Sequence, residues 1–278
     1  MKKRTNIANT VLIARVHNHD PKRVASQKKV ADAISDFFTS SGAQVLEMAS
    51  SYQPPVVTGR TRAQMLLGVI PNYWAQQLFE VRESRRRRGK PETITLRKRW
   101  RILKRALRLA VSSDELERAF ERRQIEGRLS NKHVHAWLGL LNSSADFAIV
   151  LEDDVVLKSS QSPQEIGSLA AIYAGRADYV DLAGGYTRNE LGLEGDPAKD
   201  IVLNFMLANT TCAYMISRRA AEAVVTLVFD EPKTIYMSPD FLIGLLSERG
   251  FEGVTVLPAN LPLIHGSRSG KMASLIPY

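Results

Sequence analysis

Three adjacent carboxylic acids, Glu152-Asp153-Asp154, directly follow the run AIVL, which is typical of a buried strand. Such a cluster is costly to hold at a strand end unless positive charge compensates it. Ligands of open α/β sheets bind at the carboxyl ends of strands, and hard divalent cations take oxygen ligands and bridge phosphates. We therefore expect Asp154, alone or with Glu152, to hold Mg²⁺ or Mn²⁺ against a nucleoside diphosphate leaving group. A solvated acidic turn or a helix cap would also explain the three residues.

The segments around this cluster predict an α/β fold. The runs at 10–16 (TVLIARV) and 43–48 (AQVLEM) are typical of buried strands, and the residues from Pro21 to 42 have helical spacing. A strand–helix–strand start indicates parallel strands. Beyond residue 127 we predict strands at 146–151, 179–182, 210–217 and 254–257, helices at 133–141, 164–174, 219–228 and 240–249, and a loop from Pro262. The predicted fold class is therefore α/β, a mostly parallel sheet with helices on both faces.

Residues 60–126 differ from the rest of the chain in composition. They include four consecutive arginines, Arg85 to Arg88, and a predicted basic amphipathic helix from Thr95 to Val111. The mixed charges at 114–123 predict a further solvated helix. We interpret this region as a helical insertion in one catalytic domain that covers 1–278, not as a second domain.

The basic helix has an apolar stripe formed by Leu96, Trp100, Leu103 and Leu107. We expect this stripe to pack on the α/β body, and the surplus positive charge to contact an anionic membrane surface. The alternative is that Trp100 and Leu103 enter the membrane interface while Arg and Lys bind lipid phosphates.

The overall charge favours anionic partners without choosing among them. The formal net charge is +9 and the pI is about 9.7. A nucleic-acid-binding protein is one alternative function, but no helix-turn-helix, zinc-finger or RNP-like motif supports it. A metal-dependent phosphotransferase or nuclease is another, although no P-loop is present.

The single cysteine, Cys212, excludes an internal disulfide and a CxxC-type zinc site. It lies in the apolar run TTCAYMIS, which predicts a buried core residue. No apolar stretch approaches the length of a membrane span, so we predict a cytoplasmic protein with peripheral contact at most, at the inner face of the cytoplasmic membrane.

The block GRLSNKHVHAWLGLLNSSADFAIVLEDDVVL at 127–157 resembles glycosyltransferase family 25, which includes bacterial lipooligosaccharide galactosyltransferases. Gly127, His135, Trp137 and the three acids match the family motif. YVDL (179–182), NTTCAYMISRRAAEAVV (209–225), SPDFLIGLL (238–246) and VLPANLPLIHGS (256–267) follow in the family's order. The segment 60–126 does not match, and residues 130–134 replace the family's small residues and serine before the histidine.

The resemblance implies a GT-A fold, a UDP-sugar donor carrying galactose or glucose, and a glycan or glycolipid acceptor such as lipooligosaccharide. It also implies inverting transfer, which needs one general base for the acceptor hydroxyl and stabilisation of the departing diphosphate. Asp240 is the candidate base because it lies at a helix start after Ser238-Pro239. A helix-capping role explains the same position, and Asp181 of YVDL is the rival base.

The remaining site residues also follow from the resemblance. His265 is expected to complete the metal site begun by Asp154, and Ser267 to contact the diphosphate from the same loop. An ordinary surface loop explains both residues equally. His135 is expected to support the metal loop from behind.

On the donor side, Arg15 closes the first strand, where a GT-A enzyme contacts the nucleotide. We expect Asp153 to face the ribose or the sugar of the donor. Glu152 is a second candidate for donor binding, and a purely structural role is the alternative for Glu152. An ordinary polar loop after the first strand also explains Arg15.

Overall fold

The computed structural model describes residues 10–18, 20–51, 60–86, 93–186 and 188–266. The strands within these ranges are β1 (Thr10–Val16), β2 (Gln44–Ser50), β3 (Phe147–Glu152), β4 (Val155–Leu157), β5 (Tyr179–Asp181), β6 (Ile201–Leu203), β7 (Ala213–Ser217), β8 (Thr255–Leu257) and β9 (Leu263–His265). The helices are α1 (Pro21–Ser40), α2 (Arg62–Arg86), α3 (Leu96–Val111), α4 (Ser113–Leu141), α5 (Ser162–Tyr173), α6 (Arg188–Leu191), α7 (Arg218–Asp230) and α8 (Pro239–Leu245), with 3₁₀ turns at Pro232–Tyr236 and Leu246–Arg249.

Seven of these strands form one sheet in the order β2-β1-β3-β7-β5-β8-β6. β1 is parallel to β2 and β3, and β5 is parallel to β8, whereas β7 is antiparallel to β3 and β5, and β6 to β8. All strands of this sheet except β7 and β6 therefore share one direction. The predicted fold class, α/β with a mostly parallel sheet, is confirmed.

Two apolar clusters cover the two faces of the sheet. Successive side chains of a strand point to opposite faces, so Leu12 and Val16 of β1 pack with Trp137 of α4, whereas Val11 packs with Ile34 of α1. Each fully buried side chain of this size contributes about 1.5–3 kcal/mol. Helices therefore cover both faces, as the sequence predicts.

The sheet brings the candidate site residues to one edge. β1, β3 and β5 end there, and β7 begins there because it runs in the opposite direction. The chain also leaves β1 for β2 on one side and later enters β3 on the other side of β1. Such a change of direction opens a crevice at the carboxyl ends of the strands, where ligands of open α/β sheets bind.

The segments predicted as separate helices at 114–123 and 133–141 belong to one helix, α4, which also crosses the predicted insertion boundary at 126. Ser112 caps its start by accepting the N–H of Glu115. Gly127 lies inside α4 and allows the helix to pack closely on Tyr236. A Cβ at this position would lie 3.0 Å from Cδ1 of the Tyr236 ring.

Two further predictions need correction. The tail from Pro262 is not only a loop, because β9 pairs with β4 and places His265 opposite Val155. The apolar stripe of α3 does not pack on the body: Leu96, Trp100 and Leu107 are exposed. α3 packs on α2 and α4 and buries Ile102 and Ala106 instead. Among the helices described, none combines the length and apolarity that a bilayer span requires.

Candidate active site

Glu152, the last residue of β3, is held by two partners at the edge of the sheet. Its Oε1 accepts a hydrogen bond from the Thr211 hydroxyl at 2.7 Å and lies 3.1 Å from Nε2 of His133. Burial alone would raise the pKa of the Glu152 carboxyl, but the His133 ring and the Thr211 hydroxyl outweigh it and leave this pKa below its usual value. Glu152 is therefore a charged, fixed group.

His133 connects Glu152 to a buried pair of aromatic side chains. Nδ1 of His133 lies 2.8 Å from the Tyr214 hydroxyl, which also accepts a hydrogen bond of 3.0 Å from Nε1 of Trp137. An indole N–H can only donate, so the Tyr214 hydroxyl accepts from Trp137 and its own proton is available for Nδ1 of His133. In the tautomer in which Nδ1 accepts, Nε2 carries a proton and donates it to Oε1 of Glu152.

We predict that Tyr214→Phe lowers the free energy of unfolding by about 1–3 kcal/mol, because the Trp137 indole and Nδ1 of His133 both lose a buried partner. Urea unfolding measures the change. Tyr179→Phe is the matched control: its ring stacks on Tyr214 at 5.2 Å, and its buried hydroxyl has no hydrogen-bond partner among the described residues. Equal losses in the two variants would contradict the proposed hydrogen-bond chain.

Asp153 ties the end of β3 to the loop after β1. Its Oδ1 lies 3.1 Å from a guanidinium nitrogen of Arg23 in α1, and its Oδ2 accepts the backbone N–H of Asn18 at 2.9 Å. Lys132 donates to the Asn18 side chain, and burial lowers the pKa of its amino group although Asp153 opposes this. Arg15 lies in β1 opposite Leu151.

Arg23 and Lys132 therefore add two buried cations to the crevice beside β1 and β3, and sequence reasoning missed both. The position of Arg23 at the site could have been inferred from the order of strand and helix in the sequence. The first turn of a helix that follows a parallel strand lies at the carboxyl edge of the sheet, and Arg23 occupies that turn of α1.

Asp154 and His265, the two predicted metal ligands, lie side by side. Oδ2 of Asp154 is 3.3 Å from Nδ1 of His265, and the backbone N–H of Gly266 donates to the Asp154 carbonyl oxygen at 2.7 Å. The pairing of β4 with β9 fixes this approach. The predicted contact of Ser267 lies outside the described residues.

Cys212 is buried, as the sequence predicts, but it also belongs to this cluster. Its thiol donates to Oδ1 of Asp154 at 3.4 Å, and ligand atoms of Asp154, Cys212 and His265 lie within 4.8 Å of one another. Burial raises the pKa of the Cys212 thiol well above its usual value, and the charge of Asp154 adds to the effect. The thiol orients the Asp154 carboxylate. A carboxylate oxygen suits Mn²⁺ or Mg²⁺, and an imidazole nitrogen suits metals such as Zn²⁺ or Fe²⁺.

Asp181 organises a turn. Its Oδ1 accepts the N–H groups of Ala183 and Gly184 at 3.0 and 2.9 Å, and its Oδ2 accepts that of Gly185 at 2.5 Å. Gly185 is required here because a Cβ would lie 1.6 Å from the carbonyl oxygen of Asn209. The carboxylate is thus committed to the backbone of the turn.

Asp240, in the first turn of α8, faces a cavity of ≈ 260 Å³. Burial raises the pKa of its carboxyl, and the charge of Glu152 adds to the rise, while hydrogen bonds from Ser238 and the Phe241 backbone oppose it. On the α2 side of the cavity, burial likewise raises the pKa of Glu80. The cavity is lined by Phe79, Glu80, Ser84, Tyr186, Leu207, Ala208, Asn209, Asp240, Phe241 and Gly244.

Thr210 joins the cavity to the acidic cluster, between Asn209, which lines the cavity, and Thr211, which binds Glu152. Its φ is 64°, a left-handed conformation that costs a β-branched residue about 1–3 kcal/mol. Backbone strain therefore lies where the two parts of the site meet.

No protein-family model matches the sequence, and no curated protein matches it either. A crystal structure of a glycosyltransferase involved in the glycosylation of the major capsid of PBCV-1 aligns with 94% of this chain and 96% of that chain, at 12% sequence identity and a TM-score of 0.32. The resemblance to glycosyltransferase family 25 rests on the quoted motifs.

One residue of those motifs does not reach the site. His135, which we expected behind the metal loop, is on the exposed face of α4, and His133 is the histidine that contacts Glu152. Residues four apart on a helix share a face whereas residues two apart do not. The buried Trp137 therefore shares its face with His133, and this spacing was available in the sequence.

Proposed function

We propose that this chain is a metal-dependent, inverting glycosyltransferase that moves galactose or glucose from a UDP-sugar to a hydroxyl of a glycan or glycolipid, such as lipooligosaccharide. The observation that carries the proposal is the Asp154–His265 pair, 3.3 Å apart at the carboxyl edge of the sheet. A carboxylate next to an imidazole beside a crevice between parallel strands suits a metal-bound diphosphate.

On the donor side, Asp154 and His265 would hold Mn²⁺ or Mg²⁺. The bound ion would supply positive charge to the departing diphosphate. Glu152 keeps the end of β3 in place through His133 and Thr211. Asp153 fixes the loop after β1 through Asn18 and Arg23, and this loop and Arg15 would form the nucleotide side of the crevice. In this proposal Asp153 shapes the donor site.

On the acceptor side, we assign the general base to Asp240. A hydroxyl in the cavity would give its proton to the Asp240 carboxylate while its oxygen forms a bond to the anomeric carbon and the bond from that carbon to UDP breaks. A raised pKa favours a base, because proton transfer is most effective when the pKa of the base approaches the working pH. Asp181 suits the role less well, since three backbone N–H groups occupy its oxygens.

The helical region at 60–126 takes part in this proposed acceptor site. Phe79, Glu80 and Ser84 of α2 form one wall of the cavity, opposite Phe241 and Gly244 of α8. We propose that α2 contributes to acceptor selection.

The single cysteine suits a reducing compartment, which supports a cytoplasmic location.

A donor screen tests the function. With Mn²⁺ present, we expect one UDP-hexose to bind in a calorimetric titration, to lose that binding in EDTA, and to release UDP faster when acceptor glycans are added. The mass of the product then identifies the sugar and the acceptor. The proposal fails if no UDP-hexose binds or releases UDP. Saturable nucleic-acid binding near physiological salt would favour a nucleic-acid-binding protein, and hydrolysis of a phosphodiester would favour a nuclease.

A further inference from the structure

Five apolar side chains of α3 point away from the protein. They follow one another at intervals of four, three, four and four residues and therefore share a face of the helix. Their exposed fractions are 84% for Leu96, 55% for Trp100, 36% for Leu103, 53% for Leu107 and 77% for Val111. We name these five residues the outer stripe. Ile102 and Ala106 are the buried residues that attach the helix to the protein, on a different face from the outer stripe.

Every charged residue of α3 is basic. These are Arg97, Lys98, Arg99, Arg101, Lys104, Arg105 and Arg108. At about 100° per residue, Arg97, Arg101, Lys104 and Arg108 form a basic row directly beside the outer stripe. The Lys104 amino group lies 5.8 Å from the centre of the Trp100 ring. An exposed apolar row thus lies next to an exposed cationic row.

We propose that α3 docks the protein onto an anionic lipid surface, with the outer stripe in the acyl–headgroup boundary and the basic row on lipid phosphates. A helix with an apolar face of Trp and Leu beside Arg and Lys is suited to that interface. A nucleic acid would engage the basic row only and leave the outer stripe in water. A second copy would bring two strongly basic helices together.

The helix is already formed before it meets a membrane. The Arg62 guanidinium of α2 donates to the carbonyl oxygens of Ala110 and Val111 at 2.7 and 2.8 Å and so satisfies the carboxyl end of α3. Docking therefore does not include the entropy cost of folding a peptide on the surface. α3 packs on α2, and α2 also lines the Asp240 cavity. Docking does not depend on the proposed sugar transfer, although it would place that cavity near a membrane-anchored acceptor.

Flotation of the purified full-length protein with vesicles tests the proposal. We expect binding to vesicles that contain phosphatidylglycerol, little binding to pure phosphatidylcholine, and a blue shift of tryptophan emission that Trp100→Phe removes. Removing two basic-row charges with Arg97→Gln and Arg101→Gln should weaken binding about fivefold for each charge. Leu103→Gln with Leu107→Gln should weaken binding to the same vesicles at least tenfold, a change of about 1.4 kcal/mol.

The control removes two arginines that are also exposed from the neighbouring helix α4, with Arg118→Gln and Arg122→Gln. These changes should leave vesicle binding nearly unchanged. Circular dichroism checks that every variant keeps the wild-type melting temperature, as expected for exposed positions. Equal weakening in the control and basic-row variants would overturn the proposal. So would nucleic-acid binding without vesicle binding, or a dimer that the Leu103 and Leu107 changes dissociate.

Discussion

Asp240→Asn is expected to lower the turnover number of sugar transfer by about 10²–10⁴-fold, the range that a general base contributes. The amide keeps the shape of the side chain but cannot take a proton. Donor binding should change little, because the predicted metal ligands belong to a different cluster. Steady-state kinetics with the donor found in the screen, together with calorimetry, separates the two effects.

The same variant should be at least as stable as the wild type at neutral pH. Burial raises the pKa of the Asp240 carboxyl above 3.8, so the folded protein favours the neutral form of this group. The stability that protonation provides is present at low pH and is lost as the pH rises through the raised pKa. A neutral amide avoids that loss. Thermal unfolding of both proteins at neutral pH measures the difference.

The pH dependence of the rate gives a further check. The base acts when deprotonated, so the acid limb of kcat/KM should lie above pH 3.8 and should be absent in Asp240→Asn. Asp181 is the rival base. Asp181→Asn should instead destabilise the fold, because the new NH₂ group would face the N–H of Gly185. An active Asp240→Asn together with a stable, inactive Asp181→Asn would reverse our assignment.

Much of the sheet could be predicted from the sequence because β1, β3 and β7 lie in apolar runs. β1 has the predicted bounds, and the predicted strands at 146–151 and 210–217 contain most of β3 and β7. β4, β6 and β9 were missed. Each has three residues that are only partly buried, and each owes its conformation to pairing with one neighbour. The equally short β5 and β8 are fully buried and were predicted.

The site was predictable to the level of the chain segment but not of the side chain. Asp154 and His265 lie 3.3 Å apart, and their role as metal ligands stays a prediction of the resemblance. The partners of Glu152 and Asp153 depend on which face of α4 or α1 each residue occupies, and a motif does not specify this. The motif therefore indicated His135 where helical geometry selects His133.

The outer stripe shows why a periodic pattern alone does not settle burial. α3 carries two apolar sets, the five residues of the outer stripe and the pair Ile102 and Ala106, and the outer stripe has the larger apolar area. Transfer of apolar area from water favours burial of the larger set. The structure buries the smaller one, where α3 packs on α2 and α4. The larger set is then available for another surface.

Asp154→Asn is expected to remove the metal site, and with it metal-dependent donor binding. Loss of a residue behind a metal ligand already weakens metal affinity about 10–100-fold, so loss of a charged ligand should weaken it at least that much. The free Mn²⁺ signal in paramagnetic resonance titrations measures this without any turnover. The fold should remain, since Oδ1 of the new side chain can still accept from the Cys212 thiol.

Two neighbouring variants make this prediction specific. Asp153→Asn should keep Mn²⁺ affinity but weaken donor binding, because its oxygens hold Arg23 and Asn18 and lie outside the cluster with His265. Cys212→Ser should also keep Mn²⁺ affinity, since a hydroxyl can replace the thiol as the donor to Asp154. If Cys212→Ser loses as much affinity as Asp154→Asn, the sulfur is itself a ligand, and a softer metal such as Zn²⁺ would suit the site better than Mn²⁺. If Asp154→Asn binds Mn²⁺ as the wild type does, the metal site does not include Asp154.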